Sequence, residues 1–121
     1  MELVESLAEA LARASTILPE EVVQALRKAR DEEEGPARVQ LEAILKNVEM
    51  AKAGKLPICQ DTGTPTFFVR FCVDFPKLEG LLEAIPEAVR RATKAVPLRP
   101  NTVHPFPERI RATTLAALFL P

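Results

Sequence analysis

The residues best suited to chemistry form one short cluster, residues 57–65, with the sequence Pro-Ile-Cys-Gln-Asp-Thr-Gly-Thr-Pro. Cys59, Gln60, Asp61 and Thr62 supply a thiol, an amide, a carboxylate and a hydroxyl. A thiolate is a soft ligand suited to zinc or to an iron–sulfur centre. The neighbouring amide and carboxylate can hold or deprotonate a small polar molecule. The same pattern also fits a tight turn with a buried free cysteine, in which Gly63 takes a positive φ.

A second polar cluster lies at residues 96–105, with the sequence Val-Pro-Leu-Arg-Pro-Asn-Thr-Val-His-Pro. The guanidinium of Arg99 has the geometry to bind a carboxylate, but it also fits a surface ion pair. His104 is the only histidine, and no second histidine or carboxylate stands at metal-ligand spacing from it. We therefore expect a structural or exposed role for His104, and a core position for Cys72.

Helices are predicted on both sides of the first cluster. Apolar residues at helical spacing predict a first helix, beginning at about residue 3. Pro19 fits the first position of a second helix, which we expect to run to Glu34 and to end at Gly35. Pro36 opens a third helix that stops at Gly54. The predicted buried stripe of this third helix is Ile44, Leu45, Val48 and Ala51.

Between the two clusters the pattern changes to strict alternation. Apolar residues at 67, 69, 71 and 73 predict a short strand or hairpin around residues 67–73. A further helix is predicted from Lys77 to Ala95, and Pro86 should kink or restart it. The predicted fold class is therefore α+β, mainly helical.

Composition excludes several classes of function. The chain has 121 residues, 47% of them hydrophobic and 27% charged, with a net charge of −1. This balance favours one globular domain and argues against nucleic-acid binding. No apolar run approaches the roughly 20 residues of a membrane helix. Two cysteines and no signal-peptide pattern favour a reducing cytoplasm.

Asp-Thr-Gly-Thr at residues 61–64 also occurs in aspartic proteases. Those proteins are rich in strands and glycine, whereas this chain begins with predicted helices and has four glycines, which argues against that class.

Residues 57–64, Arg-Arg-Ala at 90–92 and Val-Pro-Leu-Arg-Pro-Asn at 96–101 together resemble the iron–sulfur-dependent class I fumarase and tartrate dehydratase family. The resemblance covers residues 1–105 and is to the amino-terminal part of the α subunit. It implies a hydro-lyase that reversibly dehydrates a small 2-hydroxy dicarboxylate at a [4Fe–4S] cluster, whose open iron acts as a Lewis acid. By this resemblance Cys59 is a cluster ligand. The same resemblance implies that Gln60 and Asp61 contact the substrate, that Asp61 is a candidate proton-transfer group, and that Arg99 binds a substrate carboxylate.

The chain also departs from the family pattern. The other two cluster cysteines of the family have no counterpart here, because Cys72 matches neither of them. We therefore expect the [4Fe–4S] cluster to be absent and the 121-residue chain to be inactive alone. The implied partners are the dicarboxylate substrate, a β subunit or carboxy-terminal domain, and further copies of the chain in a homo-oligomer.

Residues 106–121 do not continue the family pattern, which runs close to Asn/Asp-Pro-Arg-Asp-Asn-Thr-Gly. Codons permitted by residues 108–116, when read two bases further on, allow Ala-Asp-Pro-Arg-Asp-Asn-Thr-Gly. We therefore expect this tail to be an out-of-frame extension of a truncated α subunit, of natural origin or from a sequencing or cloning error.

Two other classes of function stay open from the residues alone. One is a non-catalytic interaction or regulatory module with a structural cysteine loop. The other is a mononuclear metal or thiol enzyme that uses Cys59, Asp61 and His104. The sequence does not choose between fumarate and tartrate chemistry.

Overall fold

A computed structural model describes residues 2–70 and 78–99, and this part of the chain contains four α-helices. They are α1 (Glu2–Thr16), α2 (Glu20–Glu32), α3 (Gly35–Gly54) and α4 (Leu78–Ala95). The prediction of a mainly helical protein is confirmed. None of the helices in these two ranges combines the length and the hydrophobicity needed to cross a lipid bilayer.

The core of the described residues lies between α1 and α4. α4 packs mainly against α1, α2 packs against α3, and a smaller contact joins α1 to α3. Ala88 and Val89 at the centre of α4 have no exposed surface. At the edge of this contact, Arg91 Nη1 lies 2.7 Å from Glu5 Oε2, which adds an ion pair between α4 and α1. Residues 96–99, the part of the second cluster that the structure describes, follow directly after α4.

α4 runs through Pro86 as one helix. Of the two predicted effects of this proline, a kink or a restart of the helix, the restart is therefore wrong. Proline removes one backbone hydrogen bond and crowds the preceding turn. Here buried residues stand on both sides of it, with Leu81 and Ile85 before Pro86 and Val89 after it. Burial of these side chains against α1 outweighs the lost hydrogen bond.

The boundaries of α2 differ slightly from the prediction. α2 ends at Glu32 rather than Glu34, and Glu33 is extended, with φ −102° and ψ 156°. Pro19 occupies the N-cap position, one residue before the predicted one. The early end has an electrostatic reason, because a run of acidic residues from Asp31 onward is unfavourable at the negative end of the helix dipole.

α3 ends at Gly54, as predicted. Gly54 is its last helical residue, and Lys55 takes the left-handed conformation, with φ 51°. Leu45, Val48 and Ala51 are buried as predicted, but Ile44 is 44% exposed and does not belong to the stripe. The buried stripe is narrow because α3 contacts α2 on one side and only a small part of α1.

The structure shows no strand in residues 2–70 and 78–99, so it does not support the α+β class. Residues 67–70 of the predicted strand are irregular, with Phe68 97% exposed and Val69 45% exposed. A strand needs a partner for its backbone N–H and C=O groups, and no second extended segment pairs with residues 67–70 in the described part of the chain. Residues 71–73 of the predicted strand lie outside the described residues.

Candidate functional site

The cysteine-containing loop follows α3, and the peptide unit just before the thiol is held by two helices. Ile58 N donates a hydrogen bond to the carbonyl oxygen of Ser15, at the end of α1, at 3.1 Å. The carbonyl oxygen of Ile58 accepts a hydrogen bond from Asn47 Nδ2, on α3, at 2.6 Å. Ile58 therefore has both of its backbone polar groups paired to the helical framework.

The thiol of Cys59 is free and exposed. The alternative interpretation of Cys59 as a buried turn cysteine is therefore wrong. The Cys59 Sγ donates a hydrogen bond to the carbonyl oxygen of Asp61 at 3.2 Å. Gly63 has a φ of 64°, which confirms the predicted positive φ in this loop. The thiol is thus accessible to a ligand.

Arg99 is brought to the same loop from 37 residues away. The backbone after α4 is anchored by Val96 and Leu98, which are 3% and 6% exposed. The Thr62 Oγ1 then donates a hydrogen bond to the carbonyl oxygen of Arg99 at 3.1 Å. Apolar burial and one hydroxyl hydrogen bond together hold Arg99 beside the loop while it stays exposed.

Two neighbouring hollows meet at the loop. The first has a volume of about 570 Å³, and its lining includes Cys59, Gln60 and Arg99. The second has a volume of about 430 Å³, lies toward the end of α1, and is lined by Asp61. Cys59 and Thr62 line both. The structure thus brings three of the four predicted site residues to one hollow and places Asp61 at the adjacent one.

The donor set does not form a complete metal site in the described residues. No group of three His, Cys, Asp or Glu side chains there is arranged to hold a metal ion. The whole sequence has two cysteines, whereas a [4Fe–4S] cluster is held by three or four thiolates. The residues present do not fit such a cluster by themselves, although exposed Cys59 has the right chemistry for a single ligand. Cys72 and His104 lie outside the described residues.

Sequence reasoning assigned no role to Asn47 or to the hydroxyl of Thr62. Asn47 carried a usable signal, because it is a polar residue with low helix propensity immediately before buried Val48 of α3. Such a residue in a helix often bonds to a neighbouring segment. Thr62 lies within the first cluster, and its hydroxyl bonds to the backbone carbonyl of Arg99. A backbone carbonyl gives no signal in the sequence, so this hydrogen bond was not predictable.

The helical framework thus presents an exposed thiol, an amide and a guanidinium around one hollow. Comparison with known proteins gives the family. The family model of Fumarate hydratase (Fumerase) matches residues 4–117, so the chain belongs to this family. The matched range extends beyond residue 105, the predicted end of the resemblance.

Curated relatives agree with this assignment. The putative L(+)-tartrate dehydratase subunit alpha of Methanocaldococcus jannaschii is 36% identical over 109 residues, covering 88% of this chain and 38% of the relative. The putative fumarate hydratase class I of Geobacillus stearothermophilus is 39% identical over 103 residues, covering 84% of this chain and 20% of the relative. The L(+)-tartrate dehydratase subunit alpha of Escherichia coli strain K12 is 36% identical over 107 residues, covering 88% of this chain and 35% of the relative. The chain thus spans between a fifth and two fifths of their lengths.

Proposed function

We propose that residues 1–105 are the amino-terminal part of the α domain of a hydro-lyase that reversibly dehydrates a small 2-hydroxy dicarboxylate. The reaction is malate to fumarate or tartrate to oxaloacetate. One observation carries this proposal: Cys59, Gln60 and Arg99 line a single hollow in a chain of this family. The names of the relatives support the class of reaction, since they are a fumarate hydratase and tartrate dehydratase subunits.

Arg99 and Gln60 are proposed to bind the substrate. A guanidinium forms two parallel hydrogen bonds to a carboxylate, and its exposure here leaves it free to do so. The amide of Gln60 offers both a donor and an acceptor to a hydroxyl or a second carboxylate. Thr62 bonds to the backbone carbonyl of Arg99, so the backbone that carries the guanidinium is held beside the loop.

Asp61 is proposed to transfer the proton. A carboxylate accepts the proton from the carbon adjacent to the one that bears the departing hydroxyl, and it returns this proton in the reverse reaction. Asp61 lies at the second hollow, so this role requires a substrate that reaches across the loop from Arg99. Cys59 lines both hollows, so its thiolate would lie beside the middle of such a substrate.

Cys59 is proposed to provide one ligand of an iron–sulfur cluster whose other ligands come from another part of the polypeptide. The whole sequence has two cysteines, fewer than such a cluster needs. We therefore propose that activity requires the remaining α-subunit residues together with a β subunit or carboxy-terminal domain. The relatives named as alpha subunits support such a partner. Homo-oligomers of the assembled enzyme are part of the same proposal.

A chimera tests these roles. Residues 4–105 of this chain replace the aligned segment of the Escherichia coli L(+)-tartrate dehydratase α subunit, which is produced with its β subunit. We expect tartrate or malate dehydration together with the visible absorbance of an iron–sulfur cluster. Cys59→Ser should remove both signals. Arg99→Lys should raise KM by about 10-fold to 100-fold with the cluster retained, because a bidentate contact becomes a single one.

The unmodified 121-residue chain is the matched control, and it should show neither activity nor cluster absorbance after treatment with iron and sulfide. A folded chimera that binds a cluster equally well with Cys59→Ser would refute the ligand role. A chimera that folds but dehydrates none of these diacids would refute the hydro-lyase proposal and favour an interaction module.

A further inference from the structure

Asn47 occupies an unusual place on α3. Its side chain is exposed, yet its amide does not point only to solvent, because Nδ2 lies 2.6 Å from the carbonyl oxygen of Ile58. The two residues are 11 apart in the sequence and belong to different elements. The helix turn that carries Asn47 is fixed by its buried neighbours Leu45 and Val48. The Asn47 amide is therefore a hydrogen-bond donor that α3 holds in place facing the loop.

The peptide held by Asn47 is the one that leads into Cys59. The opposite polar group of Ile58, its N–H, is bound by the carbonyl oxygen of Ser15 on α1. Two helices thus hold one residue from two directions, directly before the thiol. After the thiol, the hydrogen bond from Cys59 Sγ to Asp61 and the positive φ of Gly63 continue the turn. Loss of either anchor at Ile58 frees the backbone on the amino-terminal side of the sulfur.

We propose that Asn47 is a positioning residue that fixes the Cys59 thiol at the junction of the two hollows. It acts through the backbone of Ile58 and not through contact with the sulfur. Asn47 also lines the first hollow beside Gln60 and Arg99, so the same side chain sets the distance between the loop and the helix wall. The use of this arrangement in catalysis rests on the proposed function, whereas the positioning itself does not.

The test uses the 121-residue chain with Asn47→Ala and Asn47→Asp. Alanine removes the amide, and aspartate keeps its shape but places a carboxylate, which cannot donate, against the Ile58 carbonyl. Two readouts report on the loop: the rate of Cys59 alkylation by iodoacetamide, followed by peptide mass spectrometry, and amide hydrogen exchange of Ile58. Lys46→Ala is the matched control, because Lys46 is the adjacent exposed residue of α3.

We expect both Asn47 variants to raise the Cys59 alkylation rate and the Ile58 exchange rate by about fivefold, the change in population that a typical hydrogen bond supports. The reagent then approaches a thiol that is no longer kept against the Asp61 carbonyl. Lys46→Ala should leave both rates within about twofold of the original chain. Helical content, measured by circular dichroism, should stay unchanged, since alanine is a better helix former than asparagine.

The proposal is overturned if both Asn47 variants behave like Lys46→Ala. It is also overturned if both variants lose helical content, because Asn47 would then support the fold in general and not the loop in particular. If Asn47→Ala alone lowers the helical content, the alkylation and exchange rates of Asn47→Asp decide whether Asn47 positions the loop. These readouts need neither a cluster nor a substrate, so the proposed hydro-lyase function and the positioning role of Asn47 can fail independently.

Discussion

Arg99 is held beside the loop by two interactions of different strength, and their relative size can be measured. Leu98, which is 6% exposed, anchors the backbone by burial, and a buried leucine truncated to alanine costs 2–5 kcal/mol in general. Because Leu98 lies near a hollow, we expect the lower part of this range, about 3 kcal/mol. The Thr62 hydroxyl contributes one partly exposed hydrogen bond to the Arg99 carbonyl, worth about 1 kcal/mol or less. Burial should therefore dominate.

Thermal unfolding of the 121-residue chain with Leu98→Ala and with Thr62→Val measures both contributions to the free energy of unfolding. At about 4 °C per kcal/mol, the melting temperature should fall by about 12 °C for the first variant and by about 4 °C at most for the second. Leu56→Ala is the matched control, because Leu56 is 47% exposed and its truncation should cost less than about 1 kcal/mol. A larger loss for Thr62→Val than for Leu98→Ala would refute the argument that burial positions Arg99.

Three further predictions concern other parts of the chain. Lys55→Gly should stabilise the chain by about 0.5 kcal/mol in urea unfolding, because Lys55 has a φ of 51° and the relief of left-handed strain exceeds the extra freedom of glycine in the unfolded chain; a loss of stability would contradict this. Arg91→Gln should cost less than about 1 kcal/mol and lose its effect in high salt, since its ion pair with Glu5 is exposed; a salt-independent loss would indicate packing instead. The coding DNA of residues 108–116, read two bases further on, should encode Ala-Asp-Pro-Arg-Asp-Asn-Thr-Gly and continue into an open frame with two more cysteines; a stop codon soon after this motif would remove the frameshift hypothesis.

The helices could be predicted from the sequence because their signals are local. Apolar residues at helical spacing, prolines near helix starts and Gly54 near a helix end identify all four elements within a few residues. The predictions were wrong where tertiary contacts decide the outcome. The α1 contact keeps α4 continuous through Pro86, and α3 has too little contact to bury Ile44. Alternation in residues 67–70 indicated a strand, but alternation alone does not supply a pairing partner.

The sequence predicted which residues form the site but not the interactions that hold them together. The first cluster and Arg99 were identified from residue types and the family resemblance, and the structure brings Cys59, Gln60 and Arg99 to one hollow. The interactions that hold them together were not predictable, because each of them joins distant segments. One ends on the backbone carbonyl of Ile58, and the other ends on that of Arg99. Any residue type has this carbonyl, so nothing in the sequence marks these two.

The placement of Gln60 and Asp61 on different hollows has a consequence for the proposed chemistry. Consecutive side chains along a backbone that is not helical point in different directions, so adjacent residues of the loop reach opposite sides. Gln60 shares its side with Arg99, and both should therefore act on substrate binding. In the active chimera, Arg99→Lys should raise KM more than it lowers kcat. Asp61→Asn should lower kcat by about 100-fold to 10,000-fold with a smaller change in KM, as expected for a proton-transfer group. If Asp61→Asn instead changes KM alone, Asp61 binds substrate, and the proton acceptor must be sought elsewhere in the assembled enzyme.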